Sequence, residues 1–261
     1  MDPMPAPQAA DRTRELHSAG YYSCNANSRL AWVRRFHREG RLLEVGCGCG
    51  SFLALARNSG YRVQGVEPEP ERARRARDDY GLTVEQSFIE ESQLPDGGFD
   101  VVFHVDLLSH LPDPVRALEA MSRRLRPGGH ICFEVGIMAG FSPRWYRLTG
   151  ASEHSYPYHI WLFSDRGLRK TLRRAGLEVV ETRRFGLLAS AFLLGSVQAL
   201  RPVLGRWSTH PVGRGDNRSL DDSRVRKAYD RLQHSTRYQL GRLMPPVGPQ
   251  TMFVAARSIV P

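Results

Sequence analysis

Two runs hold residue types that can bind a nucleoside: Leu42-Leu43-Glu44-Val45-Gly46-Cys47-Gly48-Cys49-Gly50, then Val63-Gln64-Gly65-Val66-Glu67. Glycines lack a Cβ, so a backbone built from them can approach a ligand closely. The helix that follows offers free N–H groups and a positive dipole end to an anion. A carboxylate ending the second strand can accept both hydroxyls of a ribose. Together they describe a pocket for a nucleoside with a negatively charged tail. A dinucleotide site would continue G-x-G-x-x-G, and the third position here is Ser51. A tight turn without a ligand explains the glycines alone, but it does not explain Glu67 at this spacing.

The first run reads E-x-G-x-G-x-G, which resembles motif I of the class I S-adenosylmethionine-dependent methyltransferases. In that family the acidic residue orients the loop and the methionine amine, and the glycines accommodate the methionine portion. Phe99 through Val105, entered through Leu94-Pro95-Asp96-Gly97-Gly98, is similar to the family's fourth strand. Leu108-Ser109-His110-Leu111-Pro112-Asp113-Pro114 resembles its "LEH-x-x-DP" segment, and Leu125-Arg126-Pro127-Gly128-Gly129 its "LRPGG" turn into strand five. His159 through Ser164, then Leu168 and Ala175-Gly176-Leu177, resembles "H-x-x-x-FS…L…AG-F". That stretch belongs to the branch that includes the ubiquinone-biosynthesis O-methyltransferases.

The resemblance implies S-adenosylmethionine as cofactor and assigns positions to it. Glu44, Gly46, Cys47, Gly48 and Gly50 lie at the methionine moiety, and Glu67 with Pro68 at the ribose. Ser87, Phe88 and Ile89 stand where the family reads adenine, although many members have an aspartate there. His104 and Val105 end the fourth strand beside the cofactor, and Tyr21 is a candidate to close over it, with core packing as its plain alternative.

Methyl transfer is an in-line displacement, so positioning two reactants in a dry pocket supplies much of the catalysis. A hydroxyl acceptor also gains from losing its proton, and a phenol with a pKa of about 10 needs modest help. Asp106 lies just past strand four, where the reactive methyl is expected. Quinol-methylating relatives carry carboxylate-x-x-carboxylate-His at this place and hold a divalent metal with it. This chain offers Asp106, Ser109 and His110, without the central carboxylate, so no bound metal is expected. His110 reads as a helix-terminal hydrogen-bonding residue. His154 and His159 are candidate bases, His159 being favoured for its place in the "H-x-x-x-FS" stretch; loop structure is the alternative for both.

These residues need a scaffold, and the alternation of apolar runs with turn signals supplies one. Strands are expected over 41–46, 62–67, 82–86, 99–105, 129–136, 177–185 and 251–257, and helices over 26–38, 50–59, 69–79, 113–124 and 165–175. The fold class is α/β: a Rossmann-like doubly wound seven-stranded sheet, its last strand antiparallel as in the resembled family, with a helical insert between strands six and seven. Such sheets bind ligands at the carboxyl ends of their strands. Residues 1–15 read as a disordered leader, 16–186 as the core, 187–248 as the insert and 249–261 as the last strand. The apolar run Leu187–Leu200 and the basic amphipathic stretch 221–242 suit a substrate lid first, then a homodimer contact or a lipid-facing surface. The aromatic residues of 137–162 suit a flat hydrophobic acceptor.

The net charge of +10 raises nucleic acid as a partner, yet lysine stands only at Lys170 and Lys227, so arginine supplies the rest of the 37 basic residues. Much of the arginine alternates with acid, as in Glu71 through Asp79, and reads as solvated helix faces. The excess charge otherwise favours an acidic carrier protein holding the acceptor. Base amino methylases usually carry Asn/Asp-Pro-Pro-Tyr where this chain reads His104-Val105-Asp106-Leu107, so no nucleic-acid substrate is expected. A protein that binds S-adenosylmethionine without transferring methyl, as scaffold or cyclase, would show the same pocket. The four cysteines form no disulfide framework. Absence of a signal-peptide pattern and of a long uncharged apolar stretch leads to the expectation of a cytoplasmic protein, with any membrane contact peripheral.

Overall fold

Parallel strands buried on both faces need helices on both sides, and this chain supplies them in the expected alternation. The computed structural model describes residues 19–139, 159–186, 238, 243 and 248–259. The leader, His154 and nearly all of the insert lie outside the described residues. In chain order the elements are α1 (Ala19–Val33), β1 (Gly40–Val45), α2 (Ser51–Asn58), β2 (Tyr61–Val66), α3 (Pro70–Tyr80), β3 (Val84–Glu85) and β4 (Phe99–Val105). A 3-10 turn (Leu108–His110), α4 (Pro114–Arg124), β5 (Leu125–Ala139), α5 (Asp165–Arg174), β6 (Leu177–Gly186) and β7 (Gly248–Ser258) complete them.

The strands form one seven-stranded sheet in the order β3-β2-β1-β4-β5-β7-β6. β7 runs antiparallel to both β5 and β6, while β1, β2, β3, β4 and β5 pair in parallel. Strand order reverses between β1 and β4, which opens a crevice at their carboxyl ends. One core layer joins Leu43, Val102, Ile131 and Val254 to Leu118, Met121, Leu168 and Leu172 of α4 and α5. The other joins Leu42, Val101, Phe103 and Phe253 to Trp32, Phe52, Leu53, Ala73 and Ala76 of α1, α2 and α3.

Local chemistry sets the helix starts. Glu69 caps α3 by accepting the N–H groups of Glu71 and Arg72, with Pro70 in the first turn. Asp113 does the same for α4 through Val115 and Arg116, ahead of Pro114, and Ser164 caps α5 through Gly167. Gly81, in the left-handed region at φ 61°, ends α3.

Several boundaries differ from the sequence reading, and β5 and β7 both extend by three residues as paired partners, to Ala139 and from Gly248. The leading helix spans 19–33 rather than 26–38, because the amides of Arg35 and Phe36 bond to the carbonyls of Trp32 and Val33 and tighten the chain out of the helix. β5 starts at Leu125, not at 129. The Leu125-Arg126-Pro127-Gly128-Gly129 turn is absorbed as a bulge, with Leu125 paired to Phe99 and His130 to Val101. β3 is confined to Val84–Glu85. The insert contributes one described aromatic to the sheet: Tyr238 is buried, meets Phe185 edge-on at 5.0 Å and lies 5.6 Å from Phe253.

His104 of β4 is fully buried, stacked 4.6 Å from Phe133, and neither ring nitrogen has a protein partner. Burial pushes its pKa down to about 3 from 6.5. As pH falls below the ordinary histidine value, the unfolded chain therefore takes a proton that the folded chain refuses. The stability this neutral ring permits is full above that value and is lost as pH falls toward its folded pKa. His104→Phe keeps the stacked ring and removes the titration. Its melting temperature should fall less than that of the parent between about pH 7 and pH 5, and at pH 7 it should match or exceed the parent, since no hydrogen bond is lost. Equal slopes in the two proteins would show that His104 does not titrate on unfolding.

Candidate cofactor and acceptor site

The turn out of β1 is pinned to the end of β2, because the amides of Gly46 and Cys47 both bond to the Val66 carbonyl, at 2.8 and 3.3 Å. Gly46, Gly48 and Gly50 all lie in the left-handed region, at φ 71°, 54° and 83°. A Cβ on Gly48 would meet nothing within 4 Å, so this face of the loop is open. Gly50 answers a different need: a Cβ there would stand 2.5 Å from Leu82 Cδ1 and 3.0 Å from Ala76 Cβ. Its bareness lets α3 and the Leu82 side chain ahead of β3 close against the loop, and it caps α2 with no side-chain hydrogen bond.

Glu67 is buried and held from both sides. Its Oε2 accepts the Gly48 N–H at 2.8 Å and its Oε1 accepts the Glu69 N–H at 3.1 Å. The carboxylate is thus fixed at the end of β2, with Pro68 half-buried beside it. Glu44, at the end of β1, is buried too, and its Oε2 has no protein partner. Burial raises its pKa well above the usual carboxylate value; the Arg29 guanidinium opposes that rise and Glu67 adds to it. A buried carboxylate oxygen without a donor, beside an open glycine and a braced second carboxylate, fits a ligand that carries an ammonium group and a ribose. The residues present therefore fit S-adenosylmethionine. Cys47 is buried within the loop, and desolvation followed by the Glu44 and Glu67 charges raises its thiol pKa, so it stays an unreactive thiol.

On the far side of Glu67 the chain past β3 folds around Glu85, whose carboxylate accepts Ser87 Oγ at 3.1 Å, Ser92 Oγ at 2.9 Å and the Gln93 amide at 2.8 Å. The Ser87 hydroxyl is thereby engaged inside its own turn. Phe88 is exposed and Ile89 buried. Val105 is half-buried, and His104 has its ring in the core. Tyr21 lies in the first turn of α1, and its side chain is outside the described residues.

The candidate acceptor residues are built on the turn after β4. Asp106 is the one non-glycine with positive φ among the described residues, at 48°, and its amide bonds to the Glu134 carbonyl at 2.7 Å. Leu107 adjoins the glycine loop, since a Cβ on Gly46 would meet its Cδ1 at 3.3 Å. The Ser109 carbonyl accepts the amides of Ile160 and Trp161 at 2.7 and 3.1 Å, and Trp161 Nε1 donates to the Leu111 carbonyl at 2.8 Å. These bonds dock the segment that begins with His159 onto the turn that carries His110. His159 Nε2 stands 3.5 Å from Asp106 Oδ2, and the His110 and His159 rings lie 4.6 Å apart. The sequence reading counted Asp106 and His110 as two ligands of an incomplete metal site. The structure places His159 with them.

Sequence reasoning missed Glu134, Arg29 and Tyr238. Arg29 Nε donates to Glu134 Oε2 at 2.6 Å and the Tyr238 hydroxyl to Glu134 Oε1 at 3.1 Å, Glu134 and Tyr238 being buried and Arg29 half-buried. The available signal was a lone carboxylate inside the apolar strand Ile131-Cys132-Phe133-Glu134-Val135.

A family model described as a methyltransferase domain matches residues 18–182. The 2-methyl-6-phytyl-1,4-hydroquinone methyltransferase of Synechocystis is 34% identical over 93 residues, which cover 34% of this chain and 29% of that protein. A ubiquinone biosynthesis O-methyltransferase of Ralstonia nicotianae is 32% identical over 100 residues, 36% of this chain and 42% of that one. The chain thus spans less than half the length of these curated relatives. Among solved structures, a SAM-dependent methyltransferase of Thermotoga maritima superposes with a TM-score of 0.56 at 22% identity, over 93% of this chain and 94% of the other.

Glu67→Ala should weaken S-adenosylmethionine binding by about 1.5–3 kcal/mol, the range for hydrogen bonds to a charged group. Titration calorimetry on a variant with an unchanged melting temperature checks this, and unchanged affinity would remove Glu67 from the ribose site.

Proposed function

The chain belongs to the class I S-adenosylmethionine-dependent methyltransferases, and on that premise we propose that it methylates a hydroxyl of a small hydrophobic or aromatic biosynthetic intermediate. The observation that carries this reading is the meeting of His159 with Asp106, 3.5 Å apart, on the turn that adjoins the glycine loop through Leu107. S-adenosylmethionine, when bound, supplies an electrophilic sulfonium methyl. Glu44, Gly48 and Glu67 hold and orient it. The Asp106 carboxylate faces Nε2 of His159, which favours the tautomer with its proton there and leaves Nδ1 able to accept one from the acceptor hydroxyl.

The surface around this pair suits an apolar acceptor. Ile160, Trp161 and Leu162 follow His159 directly and are all exposed. The names of both curated relatives include a quinone or hydroquinone, which agrees with a flat, phenol-like acceptor for this chain. The acceptor is free or presented on an acidic carrier protein, in keeping with a net charge of +10. No helix among the described residues is long and apolar enough to cross a membrane.

His159→Ala should lower kcat about 10²–10⁴-fold, the usual contribution of a general base, and leave S-adenosylmethionine affinity near the parent value. Turnover with a panel of phenols and quinols, alongside melting curves, tests it. Near-normal turnover with a large fall in melting temperature would make His159 a brace for Trp161 and Phe163.

A further inference from the structure

We infer that the exposed face of α5 is a docking surface for an acidic helix of a separate protein, the one that carries the methyl acceptor. The inference rests on the reading of the His159 region as the place where the acceptor is methylated, and it names the partner and the surface that receives it. α5 holds five basic residues, Arg166, Arg169, Lys170, Arg173 and Arg174, and one acid, Asp165. At 3.6 residues per turn, Arg166, Lys170, Arg173 and Arg174 fall within an arc of about 100°. All four are exposed, while the opposite side of the helix buries Leu168 and Leu172.

The positive charge of this face is not balanced within the protein. Asp165 stands 3.3 Å from Arg169 and 2.8 Å from Arg184, so two arginines already share it. Among the described residues, none of the four exposed cations pairs with an acid. The arginines of α3 show the contrast: Arg72 pairs with Glu69, Arg74 with Glu71 and Asp78, and Arg75 with Asp79. The α5 face also ends in a cleft of about 380 Å³, where Arg169 and Arg173 meet an apolar floor of Leu177, Val179 and Ile259. Glu178 lines the cleft too, but Arg257 holds its carboxylate at 2.7 Å, which leaves Arg173 unopposed. The frame is fixed, because the Ile259 amide bonds to the Gly176 carbonyl at 2.9 Å and so joins β7 to the turn after α5.

An acidic helix that bears one apolar side chain satisfies both features. Its carboxylates meet the cations, and the apolar group fills the cleft. A second copy of this chain, with its net charge of +10, would be repelled. Nucleic acid would meet the cations with phosphates and leave the apolar floor uncovered. A lipid surface would find no leucine of α5 to take up, since both are buried. The place of the helix suits delivery of an acceptor. α5 begins six residues after His159, and Phe163 pairs with Ile137 near the carboxyl end of β5. Its 10 residues span about 15 Å, so a flexible tether of that order carries a group from this face to His159.

The test uses the full chain and a synthetic helical peptide with glutamates and one leucine on a single face, followed by fluorescence anisotropy. The peptide should bind at about 0.05 M salt and largely dissociate at about 0.5 M. Lys170→Glu/Arg173→Glu should weaken it on the order of tenfold or more, whereas Arg38→Glu/Arg62→Glu, the same charge change at exposed positions elsewhere, should not. Ile259→Gln should weaken binding of this peptide and not of one with glutamine in place of its leucine. Melting temperatures and S-adenosylmethionine affinities equal to the parent's report an intact fold. With a phenol tethered to the peptide, Lys170→Glu/Arg173→Glu should raise KM and keep kcat, and turnover of the free phenol should not change. Equal weakening by the two double variants, or none by either, overturns the inference. So does loss of binding to anionic phospholipid vesicles or single-stranded RNA in Lys170→Glu/Arg173→Glu with peptide binding unchanged. Residue-dependent peptide binding without methylation of either phenol supports the docking surface and defeats the hydroxyl-methylation reading.

Discussion

The chain must turn from β1 into α2 within five residues, directly over the end of β2, and the rest of the site depends on how that turn is held. Three left-handed glycines make the turn, and the Gly46 and Cys47 amides close on the Val66 carbonyl. The Gly48 amide closes on Glu67. One carboxylate thus braces the loop from below and keeps its two oxygens fixed at the strand end. A left-handed non-glycine residue is strained, on the order of 1–3 kcal/mol each, so the glycines allow the turn without that cost. The bareness of Gly50 extends the effect outward, because it lets Ala76 and Leu82 close against the loop and fixes where α3 can lie.

A second buried carboxylate links helix α1 to the turn after β4. Glu134 holds Arg29 of α1 and the Tyr238 hydroxyl with its side chain, and Asp106 with its backbone carbonyl. Arg29 also acts on Glu44 by its charge. Breaking a buried ion pair by removing one partner commonly costs about 3–5 kcal/mol. Helix α1, a residue of the insert and the turn after β4 therefore share a single anchor on β5.

The sheet was legible because its strands are short apolar runs between glycines, prolines and acids, and Glu44, Gly48 and Glu67 were legible because a fixed spacing along one βαβ unit brings them together. What resisted reading was set by contacts between distant segments. The extension of β5 through Arg126-Pro127-Gly128-Gly129 depends on its pairing with Phe99, which no local pattern in a proline-glycine turn announces. Glu134 was hidden by its apolar neighbours, since its partners come from α1 and from residue 238. The role of Gly50 also differs from that of Gly48 for a reason the motif does not carry: one faces open space and the other faces Leu82.

Asp106, His110 and His159 come from two segments that meet at residue 109. Its side chain is buried, and its carbonyl is committed to the amides of Ile160 and Trp161. A carboxylate at position 109 would be desolvated there and would stay charged only against a cation. The dock itself is the backbone carbonyl of residue 109, and what it holds is the segment that starts at His159. Those two bonds bring a second imidazole beside His110, a meeting that no spacing within residues 106–110 announces.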